Sequence, residues 1–170
     1  MYDKNLCRAV QLNASWPPVN QVEKIIKNFP EMMITLQIPK SAMEGLSIEE
    51  IAKSAGDYED MITWALIDPS GGLGVDFDLN KSIDLMNSLR RRMSDAIIGV
   101  AGGFYHGNVE ERVRKIESKH PYKFCIDAEG KLMENHTLVI DKAKKYIDNA
   151  ATALLYRWTG NEARKKNCRD

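Results

Sequence analysis

The sequence predicts an α/β fold built on one parallel sheet. Two observations predict it. Short apolar runs alternate with stretches whose apolar residues recur at helical spacing. Five such strand–helix units follow one another, and the strand runs are almost continuously apolar, as expected of strands covered on both faces. No linker, low-complexity segment or composition shift interrupts the series, so residues 1–170 read as a single β/α domain.

The units run in order. Arg8 to Leu12 (RAVQL) is the first strand, and Gln21 to Phe29 the first helix, with Val22, Ile25, Ile26 and Phe29 on one face. Met32 to Ile38 is the second strand, stopped by Pro39. Ser47 to Ala55 is the second helix, opened by a capping box of Ser47 and Glu50. Met61 to Ile67 is the third strand. Asp78 caps the third helix, Leu79 to Arg92, whose inner face carries Leu79, Ile83, Met86 and Leu89. Ala96 to Ala101 is the fourth strand. Asn108 and Glu111 take the cap and third positions of the helix from Val109 to Ser118. Tyr122 to Ile126 is the fifth strand, and Val139 to Trp158 the last and longest helix.

Composition narrows the function classes. Lys+Arg and Asp+Glu both total 24, so the formal net charge is zero. That balance speaks against nucleic acid and against a charged membrane surface as partners. Arg90-Arg91-Arg92 is a solvated helix end, where cations suit the dipole. Cys7, Cys125 and Cys168 are widely spaced and form no CxxC or Cys/His cluster. Reduced thiols in a cytoplasmic protein are expected, with no disulfide framework, no metal and no cofactor. No apolar stretch has the length of a membrane span.

Two architectures fit the alternation, an open doubly wound sheet and part of a (β/α)8 barrel. In both, ligands bind beyond the carboxyl ends of the strands, so the residues after each strand carry the chemistry. Three successive strands are followed by glycine-bearing loops: Asp68-Pro69-Ser70-Gly71-Gly72-Leu73-Gly74, then Gly102-Gly103-Phe104, then Asp127-Ala128-Glu129-Gly130. Glycine lets backbone N–H groups approach an anion closely. In barrels a phosphate commonly lies at the last two loops, here Gly102, Gly103, Ala128 and Gly130. Asp68 ends an apolar strand. It is either a general acid or base or the cap of its own Asp-Pro turn. Asp127 reads as a residue that orients its loop. Lys40 meets an anionic substrate or lies along the surface.

Three stretches resemble phosphoribosylanthranilate isomerase, the tryptophan-pathway barrel. Val10 to Leu12 (VQL) looks like the family's fourth-strand VQLHG, with Asn13 in place of the His. ALIDPSGGLGVDFD looks like its sixth-strand segment, keeping the Asp, the glycines and the Phe-Asp pair. GVAGGFYHGNVEERV looks like its seventh-strand segment, keeping Ala-Gly-Gly and Asn-Val. FCIDAEGKL keeps only the Asp and a Gly of the eighth strand. The resemblance implies a parallel β/α-barrel of TIM type, incomplete, with about five βα units instead of eight. It implies an Amadori-type aldose–ketose isomerisation of a phosphorylated sugar. Asp68 would be the general acid, Gly71, Gly72 and Gly74 the substrate loop, and Gly102, Gly103, Ala128 and Gly130 the phosphate cradle.

The departures carry weight. On this mapping the chain supplies strands four to eight. The family's catalytic Cys after strand one and its Arg for the substrate carboxylate have no counterpart. Cys7 precedes the first strand here and lies at the opposite end from the loops. A five-stranded piece exposes two sheet edges, so a homo-oligomer or a complementing chain is expected. A catalytically inactive relative that binds a phosphorylated metabolite or a partner chain, or a related phosphosugar epimerase or aldolase, stays open beside the isomerase.

Overall fold

The computed structural model describes residues 7–13, 16–70 and 77–166. It contains one five-stranded parallel sheet: β1 (Ala9–Leu12), β2 (Met33–Pro39), β3 (Trp64–Asp68), β4 (Ile97–Ala101) and β5 (Phe124–Asp127). The spatial order equals the chain order, β1-β2-β3-β4-β5. A doubly wound sheet would reverse direction at a switch point. Here every crossover steps the same way, as in a (β/α)8 barrel. Among the described residues β1 and β5 each have a strand neighbour on one side only, so the barrel is not closed.

One-way winding puts the helices α1 (Val19–Asn28), α3 (Ile48–Gly56), α4 (Leu79–Arg92), α5 (Val109–Lys119) and α6 (Ile140–Lys166) on one face. A short α2 (Lys40–Met43) precedes α3. Strand alternation follows from that layer. Ile34, Leu36 and Ile38 of β2 are fully buried, in register with Ala65 and Ile67 of β3 and then Ile98 and Val100 of β4. Against them pack Val22, Ile51, Ile83, Met86, Leu89, Val113 and Ile116 from the helices. The opposite, concave face carries Gln11, Thr35, Gln37, Leu66, Asp68, Gly99, Cys125 and Asp127. Along β2 this face is only half-buried. At its centre Gly99 leaves the space that the Cys125 sulfur and Leu66 occupy; a Cβ there would overlap the sulfur.

The helix starts obey local chemistry. Ser47 and Glu50 form the expected reciprocal capping box. The Asp78 carboxylate accepts the N–H groups of Asn80 and Lys81 at 2.9 and 3.2 Å. Asn108 holds the cap position of α5, but its side chain does not cap the helix. It accepts the Tyr105 N–H at 3.0 Å and donates to the Gly103 carbonyl at 2.9 Å, so it ties the preceding loop instead. Helix α1 starts earlier than its apolar spacing suggests, directly after Pro18, because a proline needs no N–H partner there. Pro39 ends β2 from within, paired with Asp68. A hairpin of β6 (Met133–Glu134) and β7 (Thr137–Leu138) precedes α6. Its Asn135 and His136 both adopt positive φ, 47° and 61°, the conformation of a tight hairpin turn. No helix among the described residues is long and apolar enough to cross a membrane.

His120 is a titratable group in the core. His120 has 0 % exposure at the end of α5, edge-on to the rings of Tyr122 and Phe124. Asn87 gives its amide N–H₂ to the Lys119 carbonyl, which leaves its oxygen to accept the His120 Nδ1–H at 2.8 Å. Burial, with Arg90 adding repulsion, holds this imidazole below its ordinary 6.5. The folded form therefore binds fewer protons than the unfolded form as pH falls. Stability should be full above about pH 6.5 and fall as the pH drops below it. In chemical denaturation, His120→Gln should flatten that slope whatever its absolute stability; an unchanged slope would assign the acid sensitivity elsewhere. Separately, Gly99→Ala should cost about 1–3 kcal/mol by overpacking against Cys125 and Leu66, read from the same curves.

Candidate functional site

The site forms where β3, β4 and β5 end. A cleft of about 40 Å³ is lined by Asp68, Ser70, Ala101, Gly102, Gly103 and Phe104 on one side and by Asp127, Ala128, Glu129, Gly130 and Lys131 on the other. Its volume matches about three water molecules, enough for a small tetrahedral anion. Register brings the parts together. Pro39 stands opposite Asp68 and Ala101 opposite Asp127, so the ends of the strands are flush and their loops open onto one hollow.

Asp68 is the best-defined member, with 5 % exposure. A carboxylate at that depth requires donors. Gln37 donates its amide N–H to Asp68 Oδ2 at 2.7 Å. Ser70 gives its hydroxyl to Oδ1 at 2.8 Å and its backbone N–H to the same oxygen at 3.1 Å. The second of these is the self-capping of an Asp-Pro turn. The two readings of Asp68 are therefore compatible: it caps its own turn and also faces the cleft.

Gly102 exists for this contact. Its φ is +94°, and a Cβ there would lie 2.9 Å from both the Cβ and the hydroxyl of Ser70. Any side chain would push Ser70 off Asp68. Gly103, at φ +60°, continues the turn, and Asn108 pins its carbonyl. The loop leads into α5, where the Val109 N–H is already bonded to the Tyr105 carbonyl at 3.0 Å. Gly130 opens a short 3-10 turn to Leu132 on the facing loop. Next to it the Lys131 ammonium lies 5.0 Å above the Tyr105 ring, linking the loops after β4 and β5 and placing a cation at the cleft.

The carboxylates interact. Solvent reaches Asp127, yet the surrounding protein pushes its carboxyl above the ordinary range through lost hydration; the Ala128 N–H opposes this, and Asp68 and Glu129 raise it further. Burial, then the charge of Asp127, pushes the Cys125 thiol up, so it is poorly disposed to act as a thiolate. Among the described residues no group of three or more His, Cys, Asp or Glu side chains is placed to hold a metal ion.

Of the site residues expected from sequence, Asp68, Gly102, Gly103, Ala128 and Gly130 share this cleft. Gly71, Gly72 and Gly74 lie outside the described residues. Lys40 lines a separate hollow between α2, α3 and α4, with Met43, Ile51 and Leu85, and does not reach the cleft. Asp127 lines the cleft as well as starting its loop. No site role is read from the sequence for Ser70, which is named there only as part of its loop, or for Gln37 and Lys131. Gln37 had a signal, being a long polar side chain at an inward position of a buried strand. Lys131 had only its place next to Gly130.

Comparison with solved structures yields the same architecture. Phosphoribosylanthranilate isomerase from Thermotoga maritima superposes with a TM-score of 0.57 at 20% identity, over 85% of this chain and 62% of that one. A crystal structure of mutually generated monomers of the dimeric Thermotoga maritima enzyme gives 0.55 at 18%, over 85% and 61%. A phosphoribosylanthranilate isomerase in complex with reduced 1-(o-carboxyphenylamino)-1-deoxyribulose 5-phosphate gives 0.55 at 19%, over 85% and 60%. No family model matches the chain, and no curated protein does. The chain thus spans about three fifths of the length of these enzymes, and the likeness is one of fold: an incomplete β/α-barrel similar to phosphoribosylanthranilate isomerase.

Proposed function

We propose that the cleft binds the phosphate of a phosphorylated sugar and that Asp68 transfers a proton in its aldose–ketose isomerisation, with phosphoribosyl anthranilate as the substrate class. The observation that carries this reading is the shared cleft: the buried Asp68 and the glycine turns after β4 and β5 open onto one hollow. Backbone N–H groups at Gly102, Gly103 and Gly130 and the Lys131 ammonium suit a phosphate. Asp68, Asp127 and Glu129 would repel that dianion, but they suit the hydroxyls of a sugar, which donate to carboxylates. The two chemistries fit the two ends of a phosphosugar. A neighbour in the same fold holds a phosphorylated ligand, in line with this assignment.

Opening an aldose ring and moving its double bond needs a proton given at one atom and taken from another. Asp68 supplies one partner. The thiols offer a poor second: Cys7 precedes β1, at the opposite end of the strands, and Cys125 is held in its neutral form. That observation favours a second reading, in which the chain binds a phosphorylated metabolite without turning it over, or does so only with a complementing chain.

Inorganic phosphate titrated into ¹⁵N-labelled protein should shift the amides of Gly102, Gly103 and Gly130, and Lys131→Met should weaken that binding about tenfold, the loss of one charge-assisted contact. If those amides do not move, the cleft is not a phosphate site. With phosphoribosyl anthranilate, Asp68→Asn should lower kcat at least about a hundredfold without weakening phosphate binding. Equal turnover by Asp68→Asn would remove its role, and binding without turnover by the unaltered protein would select the second reading.

A further inference from the structure

We propose that Gln37 is a positioning residue for Asp68, and that Gln11 acts through Gln37 as the last member of a hydrogen-bonded row across three strands. This deepens the reading above and rests on it insofar as Asp68 serves the cleft. The contacts are short and run in one direction. Gln11 Nε2 donates to Gln37 Oε1 at 2.8 Å, and Gln37 Nε2 donates to Asp68 Oδ2 at 2.7 Å. Because the Asp68 carboxylate only accepts, the Gln37 amide nitrogen turns toward it and leaves its oxygen for Gln11. The order of donor and acceptor is thereby fixed along the row.

Register explains how the row reaches the site. Gln11 lies opposite Thr35, two residues before Gln37, and Gln37 lies opposite Leu66, two residues before Asp68. Each step is thus a diagonal that climbs two residues toward the carboxyl ends of the strands. Such diagonals separate neighbours by about 7–8 Å, which a glutamine spans. The base of the row is held as well: the Trp16 indole N–H donates to the Gln37 carbonyl at 3.0 Å.

The consequence is a carboxylate with little freedom. Gln37 takes one oxygen of Asp68 and Ser70 takes the other, from opposite sides. Rotation of the Asp68 side chain would break both sets of bonds. An acid or base has to meet its proton within a few tenths of an ångström, so this restraint belongs to the chemistry of the cleft as well as to stability.

Isosteric substitution separates a donor from a filler. Gln37→Glu keeps the volume and puts a second carboxyl against Asp68. Its thermal midpoint should lie about 3–8 °C below that of the unaltered protein near neutral pH and recover as the pH falls toward about 4, where one carboxyl of the pair is protonated. A loss of the same size at both pH values, or no loss, would overturn the proposal. Gln37→Leu gives a second test that does not need the charged variant to fold. Combined with Asp68→Asn, its stability loss should be non-additive, and simple additivity would count against the contact. In turnover of phosphoribosyl anthranilate, Gln37→Leu should lower kcat about tenfold with KM within about threefold, and an unchanged kcat would reduce Gln37 to a structural residue. If the unaltered protein neither binds phosphate nor turns the substrate over, the phosphosugar reading fails, while the pH-dependent loss in Gln37→Glu would still support the restraint on Asp68.

Discussion

Asp68 is a carboxyl group at the end of a buried strand, with 5 % of its surface in water. Leaving such a group without donors would cost several kcal/mol, so the neighbouring chain has to supply them. Much of the local architecture answers that demand. Ser70 curls back to give two hydrogens, and the curl brings its hydroxyl so close to the next strand's end that only glycine fits at 102. Gln37 turns inward from β2 to give a third, and Gln11 and Trp16 hold Gln37. The glycine turn after β4 is then tied off by Asn108. A catalytic or binding role for this cleft therefore inherits a geometry already fixed by the solvation of one side chain.

The sheet was legible in the sequence because its signals are strong and local. Nearly continuous apolar runs such as MMITLQI and AIIGVA can only be buried strands or pieces of helix, and the alternation with amphipathic stretches decides for strands. Ser47 with Glu50, and Asp78, cap their helices as written because capping depends on three or four consecutive residues. Asn108 has the same local signal and a different outcome. Its amide found the Tyr105 N–H and the Gly103 carbonyl, partners that only the folded loop presents. The hairpin of β6 and β7 escaped notice because its turn is Asn-His, not the Asn-Gly that announces such turns. Gln37 and Lys131 share a deeper reason. Their meaning depends on strand register and on the facing of two loops, and neither can be read from one segment of chain.

The strand order also separates the two architectures that sequence left open. Alternation alone cannot tell a sheet that reverses from one that always steps forward. The observed order β1-β2-β3-β4-β5 steps forward throughout, and the similarity to phosphoribosylanthranilate isomerase extends over about three fifths of those enzymes' length. All five strands run parallel, so the loops that follow β4 and β5 open at the same end as Asp68 and Ser70. The cleft is thus a direct product of topology. Its lining comes from the ends of three adjacent strands, so it is built although the sheet of the described residues does not close.

The concave face has a bearing on how the protein behaves in water. Among the described residues β1 and β5 have no second neighbour, and a five-stranded parallel sheet of that kind would ordinarily offer a greasy surface and two adhesive margins. Here the half of that face nearest β1 carries Gln11, Thr35 and Gln37, and these side chains are partly reached by solvent. Amide and hydroxyl groups hold water well. The row of glutamines that restrains Asp68 therefore also makes the open side of the sheet wettable, and it sets a hydrated layer where a purely aliphatic face would drive the chains to stick.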